Sequence, residues 1–218
     1  MKILAVTDKV VKSIYSAHIR KRFGDVDLVI SCGDLPYSYL EFIVSMLNVP
    51  CFFVHGNHDR PQFGCDGQAR CHPGGWINLD GRTVRAKGLT LAGFEGAVRY
   101  KPRGDYQYTE AEMSYKVWRM IPSFLINRLR YGRYLDILVT HAPPWGIHSG
   151  KDRAHQGFKA FLGLMKHFRP RYLLHGHKHV YVPQKVETSY QETEVINVYP
   201  YRVIEWDEEG IGSRPELS

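Results

Sequence analysis

Three imidazoles fall at alternate positions in the stretch "YLLHGHKHVY", at His175, His177 and His179, directly after an apolar run. Histidine is the commonest metal ligand and the side chain that titrates nearest neutral pH. A half-exposed strand end, where polar residues alternate outward, would give the same local pattern. The other ligand-type residues bear on that choice. Asp8 closes "KILAVTD", Asp34 closes "LVISCGD", Asn57 and His58 lie in "CFFVHGNHD", and His141 lies in "LDILVTHAPP". A helix cap, a turn former or a core histidine explains any one of these alone. None of them explains oxygen and nitrogen donors at the end of five separate apolar runs. Divalent metal binding does.

Short continuous apolar runs suit strands buried on both faces. Between the first three runs lie the helical patterns "SIYSAHIRKRF" and "YSYLEFIVSMLN", which gives β-α-β-α-β spacing and hence a parallel sheet. In open α/β sheets ligands bind beyond the carboxyl ends of the strands, where these donors fall. "FKAFLGLMKHFRP" predicts a helix stopped by Pro170, and "TEAEMSYKVWRMIPSFLINRL" predicts one broken or kinked at Pro122. Thr109 with Glu112 fits a capping box at its start. "WINLDGRTVRAKGLTLAGFEG" reads as an antiparallel meander turning at Asp80-Gly81 and Lys87-Gly88, and "EVINVYPYRVIEW" is strand-like. No linker or tandem repeat divides the chain, so one domain over 1–218 is expected.

The motifs "GD" at 33–34, "GNHD" at 56–59, "TH" at 140–141 and "GHKH" at 176–179 resemble, in order and spacing, the calcineurin-like metallophosphoesterase family. The resemblance runs from Lys2 to about Tyr201. It implies an α/β fold, a four-layer αββα sandwich of two mixed β-sheets flanked by helices. It also implies two divalent metal ions bridged by Asp34, one with Asp8 and His179, the other with Asn57, His141 and His177. The mixed donor set suits manganese (Mn2+), iron (Fe2+ or Fe3+) or zinc (Zn2+) better than calcium. The implied reaction is phosphoester hydrolysis by a metal-activated hydroxide, with His58 beside the leaving oxygen and Asp59 orienting its ring. A phosphodiester is slightly favoured over a monoester, because a general acid helps most with a poor alkoxide leaving group. His175 shares the alternation but receives no ligand role.

The family's first motif usually carries a histidine two residues after its aspartate. Here that position is Val10, which cannot coordinate, so the first site is expected to be weak. A catalytically degenerate scaffold of the same fold is therefore the rival reading. Arg60 is a candidate phosphate contact or a surface salt bridge. His148 and His155 are candidates for the cleft mouth, and Trp145 for a ligand-facing aromatic.

The net charge of +7 permits acidic or phosphorylated partners, but groups such as "HIRKRF" and "RLRYGR" are dispersed. A small phosphoester is the expected partner, and a nuclease of the same fold is the less favoured alternative. The opening "MKILAVTD" is too short an apolar run for a signal peptide, and no stretch reaches the roughly 20 apolar residues that span a bilayer. Four cysteines are too sparse for a disulfide framework; Cys65, Cys71 and His72 could form a disulfide or an accessory zinc site, with reduced thiols the simpler expectation. A cytoplasmic setting is expected.

Overall fold

The computed structural model describes residues 1–63, 67–179 and 186–207. Strands β1 (Lys2–Val6), β2 (Leu28–Ser31), β3 (Cys51–Phe53) and β4 (Ile77–Asn78) run parallel in a first sheet. Their alternation is buried on both faces. Ile3, Ala5, Leu28, Ile30 and Phe52 point one way, while Leu4, Val6, Val29, Cys51 and Phe53 point the other, into an apolar layer shared with α1 (Ile19–Phe23) and α2 (Tyr37–Leu47).

A second sheet is built from β5 (Thr83–Ala86), β6 (Leu89–Phe94), β7 (Ile137–Thr140), β8 (Tyr172–His175), β9 (Glu187–Tyr190) and β10 (Thr193–Asn197), in the order β9-β10-β8-β7-β6-β5. Its inner face, including Leu91, Ile137, Val139, Leu174 and Ile196, packs on the inner face of the first sheet. Its outer face, including Ala92, Phe94, Leu138 and Leu173, packs on α3 (Glu110–Tyr131) and α4 (Lys159–Phe168). The chain returns through β11 (Tyr201–Glu205), antiparallel to β1 at the edge of the first sheet. The result is helices, sheet, sheet, helices. Both sheets are mixed, as the four-layer expectation required.

Four local expectations change. The predicted helix over 13–23 shrinks to Ile19–Phe23, because the preceding residues close turns: Ile14 and Tyr15 both donate to the Val11 carbonyl. The predicted meander over 76–96 is split between sheets. β4 pairs in parallel with β3, and the chain then crosses at Asp80-Gly81; only β5 and β6, joined at Lys87-Gly88, form a hairpin. Half-buried Asp80 anchors that crossing through the Lys116 ammonium at 2.8 Å and the Glu95 amide at 3.0 Å, contacts distant in sequence. The long helix passes through Pro122 unbroken, with the Thr109–Glu112 capping box formed at its start. The C-terminal strand pattern divides at Tyr199–Pro200 into β10 and β11, one in each sheet. Cys32, Cys51 and Cys71 are free thiols; Cys65 lies outside the described residues. Among the described residues, no helix is long and apolar enough to cross a membrane.

Candidate metal centre

Parallel strands from both sheets end at one edge, and their outgoing turns carry the polar residues. Asp8 follows β1, Asp34 follows β2, Asn57 follows β3, His141 follows β7, and His177 follows β8. Backbone shape there is unusual. Asp8 (φ 59°), Asp34 (φ 57°) and His177 (φ 63°) adopt the left-handed region, which costs an L-residue about 1–2 kcal/mol. Such strain persists where the surroundings impose it. Two glycines permit the crowding. A Cβ at Gly56 would overlap the Asp34 carboxylate, and one at Gly176 would overlap Thr7 and the Asp8 carboxylate.

At the centre, His141 Nε2 lies 3.1 Å from Asn57 Oδ1, 3.1 Å from His177 Nδ1 and 3.3 Å from Asp34 Oδ2. One ring nitrogen cannot serve three hydrogen-bond partners. The opposite nitrogens show which atoms carry protons: His141 Nδ1 faces the Cys32 carbonyl at 2.7 Å, and His177 Nε2 faces the Ala154 carbonyl at 2.9 Å. Each carbonyl can only accept, so both rings carry an N–H there, which leaves His141 Nε2 and His177 Nδ1 facing each other across a space for one proton or one cation. Neighbouring ligands about 2.1 Å from an octahedral cation lie about 3.0 Å apart, so this donor set fits a divalent ion. Among the described residues, Asp34, His141 and His177 form the one group of His, Cys, Asp or Glu ligand atoms gathered tightly enough to hold a cation. Asn57 is held in register by its amide N–H, which donates to the Tyr100 hydroxyl at 3.1 Å and turns Oδ1 inward.

The electrostatics follow from the same crowding. Burial opposes charge on Asp34, but His141 and the His58 amide outweigh it and hold the carboxyl well below the usual range. Burial likewise opposes charge on His141, yet Asp34 raises it to about 9. Burial beside His141 lowers His177 to about 3. Without metal one proton thus sits where a cation would, held on His141 and paired with the Asp34 carboxylate.

The other half is looser. Asp8 Oδ2 accepts from Thr7 Oγ1 at 2.7 Å and from the His177 amide at 2.9 Å. The nearest approach of His179 to Asp8 is 3.7 Å, and its half-exposed ring stacks on Tyr199. Val10 packs against the apolar layer under α1 and α2. Asp8, Asp34, His58, His155, His177, Lys178 and His179 line a cleft of about 350 Å³.

The remaining predicted residues have these places. His58 is exposed on the cleft wall, and its amide donates to Asp34 Oδ1 at 2.8 Å. Asp59 is buried, and its Oδ2 accepts from the amides of Gly56 (2.8 Å) and Asp34 (3.2 Å), which pins two turns together. Burial raises Asp59 to about 6, reinforced by Asp34. Arg60 donates to the carbonyls of Asp59 and Asn57 and lies 3.6 Å from Asp105, on the rim. His155 stacks on His177 with centroids 4.7 Å apart, while His148 bonds His175 at 2.9 Å. His175 is fully buried, which pushes it down to about 3. Trp145 lines a neighbouring hollow with Arg153 and Lys159.

Beneath the centre lies a network that the sequence reading missed. His55 Nδ1 meets Glu95 Oε2 at 2.9 Å, Tyr108 donates to Glu95, and His55 stacks on Tyr106. Glu95 directly follows β6, so the strand-end rule that located the other residues would also have found it.

The sequence matches the calcineurin-like phosphoesterase family over residues 2–181. The chain belongs to that family. One solved structure superposes on this calcineurin-like phosphoesterase with a TM-score of 0.63, at 14% identity, over 93% of this chain and 94% of the other. The protein TT1561 of Thermus thermophilus does so with a TM-score of 0.56, at 17% identity, over 90% of this chain and 88% of its own. At those identities the likeness shows the fold. No curated protein matches the chain. For a calcineurin-like phosphoesterase the family activity is metal-dependent phosphoester hydrolysis, and the Asp34–His141–His177 cluster supplies a place for the metal.

Proposed function

We propose that the protein hydrolyses a small phosphodiester with divalent metal ions held by Asp34, Asn57, His141 and His177 on one side and by Asp8, Asp34 and His179 on the other. The carrying observation is the gathering of four donor atoms, with Asn57 Oδ1, His177 Nδ1 and Asp34 Oδ2 each 3.1–3.3 Å from His141 Nε2. Metal ions there would polarise the phosphoryl oxygens and acidify bound water. Manganese, iron and zinc all suit a donor set of carboxylate, amide oxygen and imidazole.

The protein's own groups supply the rest. His58, exposed beside Asp34, can hold a proton at its ring and deliver it to a departing alkoxide. Asp59 fixes the turn that carries His58. The diester preference rests on the leaving group, since a general acid such as His58 helps most with a poor alkoxide. Arg60 is a rim contact for a larger ester and not part of the reacting core.

The test compares bis-nitrophenyl phosphate with nitrophenyl phosphate in the presence of Mn²⁺, and then a methyl nitrophenyl diester with an alkyl diester. Faster turnover of the diester is expected. His58→Ala should cost about 100-fold on the alkyl leaving group and distinctly less on nitrophenoxide, which needs no acid. Equal loss on both leaving groups would remove His58 from that role. One observation favours a non-catalytic scaffold instead, the placement of Val10 away from the open half. That reading predicts no turnover of any ester after metal reconstitution.

A further inference from the structure

The long helix α3 carries two apolar faces, and only one is covered. Met113, Met120 and Phe124 are buried against the second sheet. On the opposite side Tyr115 (59% exposed), Trp118 (64%), Leu125 (48%) and Leu129 (87%) stand in solvent, with exposed Pro122 between them. Their spacing is 3-4-3-4, the narrow seam of one helix packed along another. A helix that lies on the surface of a single molecule ordinarily turns charged residues outward. Beside the seam, α3 and α4 enclose an apolar groove of about 550 Å³, lined by Val117, Ile121, Leu164 and Phe168 among others.

We propose that this face is a self-association surface, on which α3 of a second copy lies antiparallel about a two-fold axis at Pro122. The seam is close to symmetric about that residue. Reversal brings Tyr115 opposite Leu129 and Trp118 opposite Leu125 and Ile126, so each indole faces the partner's groove. Charge selects the direction. The first turn of α3 carries Glu110 and Glu112, and the last carries Arg128 and Arg130. Antiparallel pairing sets unlike ends together, whereas parallel pairing would stack like on like. A two-fold interface must be self-complementary in this way. A helix of 22 residues is about 33 Å long, so the seam runs for several turns.

Light scattering on the full chain should give twice the monomer mass at micromolar concentration. Trp118→Glu combined with Leu129→Arg should halve that mass, leave ester hydrolysis per chain unchanged, and remove the dependence of the thermal midpoint on protein concentration. Should that variant fail to fold, Pro122→Cys carries the test independently, since it restores a helical N–H. Under mild oxidation it should yield a covalent dimer well above the wild-type background from exposed Cys71. A wild type that remains monomeric overturns the proposal. So does a dimer that survives the double substitution, or one whose Pro122→Cys form does not cross-link. Binding of the monomer to anionic vesicles with a shift in tryptophan emission would overturn it in favour of a membrane surface.

Discussion

The two halves of the centre differ in how they are held. On one side Asn57, His141 and His177 are buried, each fixed through its far atom by Tyr100, the Cys32 carbonyl or the Ala154 carbonyl. On the other, Asp8 is tied to a hydroxyl and an amide, and His179 leans out on Tyr199 at 3.7 Å from it. Outer partners set the tautomer and aim of a ligand. The closed half is thus organised before any cation arrives, while the open half has to be completed by one. On the proposed two-ion reading, such an asymmetric pair should hold its ions with unequal affinity.

The largest effect that could break this contrast is loss of the closed half. Asn57→Ala or His141→Ala should lower ester hydrolysis by more than about 100-fold, since even outer partners of ligands typically cost 10–100-fold, and should remove one metal equivalent by elemental analysis. Retained activity in either variant would place the chemistry elsewhere. Next comes Tyr100→Phe, which frees the Asn57 amide to rotate. About tenfold weaker binding of the tighter ion is expected by titration, with the looser ion unaffected.

A smaller effect lies in pH. His141 is raised to about 9 by Asp34, so in chelator-treated protein its contribution to stability is complete below about pH 6.5 and disappears as the pH rises through 9. Asp34, held below the usual carboxylate range, adds stability that is lost only as the solution becomes strongly acid. Thermal melts of stripped protein should therefore fall between neutrality and pH 9. Saturating Mn²⁺ should reverse that slope, because a cation replaces the proton. A melt flat across this range without metal would remove the charge assignment. The smallest effect sharpens the open half. Val10→His should add no metal affinity, because position 10 packs under α1 and α2, and should cost about 1 kcal/mol in denaturant melts. A tighter second equivalent would show that the loop can turn its side chain around.

How far the sequence could be read depends on the distance over which each feature is decided. Apolar runs closed by Asp8, Asp34, Asn57 and His141 are local, and a parallel sheet must then bring their ends to one edge. The capping box of α3 and the Lys87-Gly88 hairpin are equally local. Asp80-Gly81 looked like a hairpin turn because its deciding partners, Lys116 and Glu95, are distant in sequence. His55 was hidden inside "CFFVHGN", where a buried imidazole looks like any interruption of an apolar run, and Glu95 was absorbed into the supposed meander. Tyr100 sits in a loop without periodicity. Nothing local announced that its hydroxyl meets Asn57.

The left-handed backbone at Asp8, Asp34 and His177 narrows what can replace them. Branched side chains are strained there, and glycine, which would relax the backbone, would strip away the carboxylate or ring that neighbouring groups bond. A random change at any of these three positions would therefore cost folding and chemistry together.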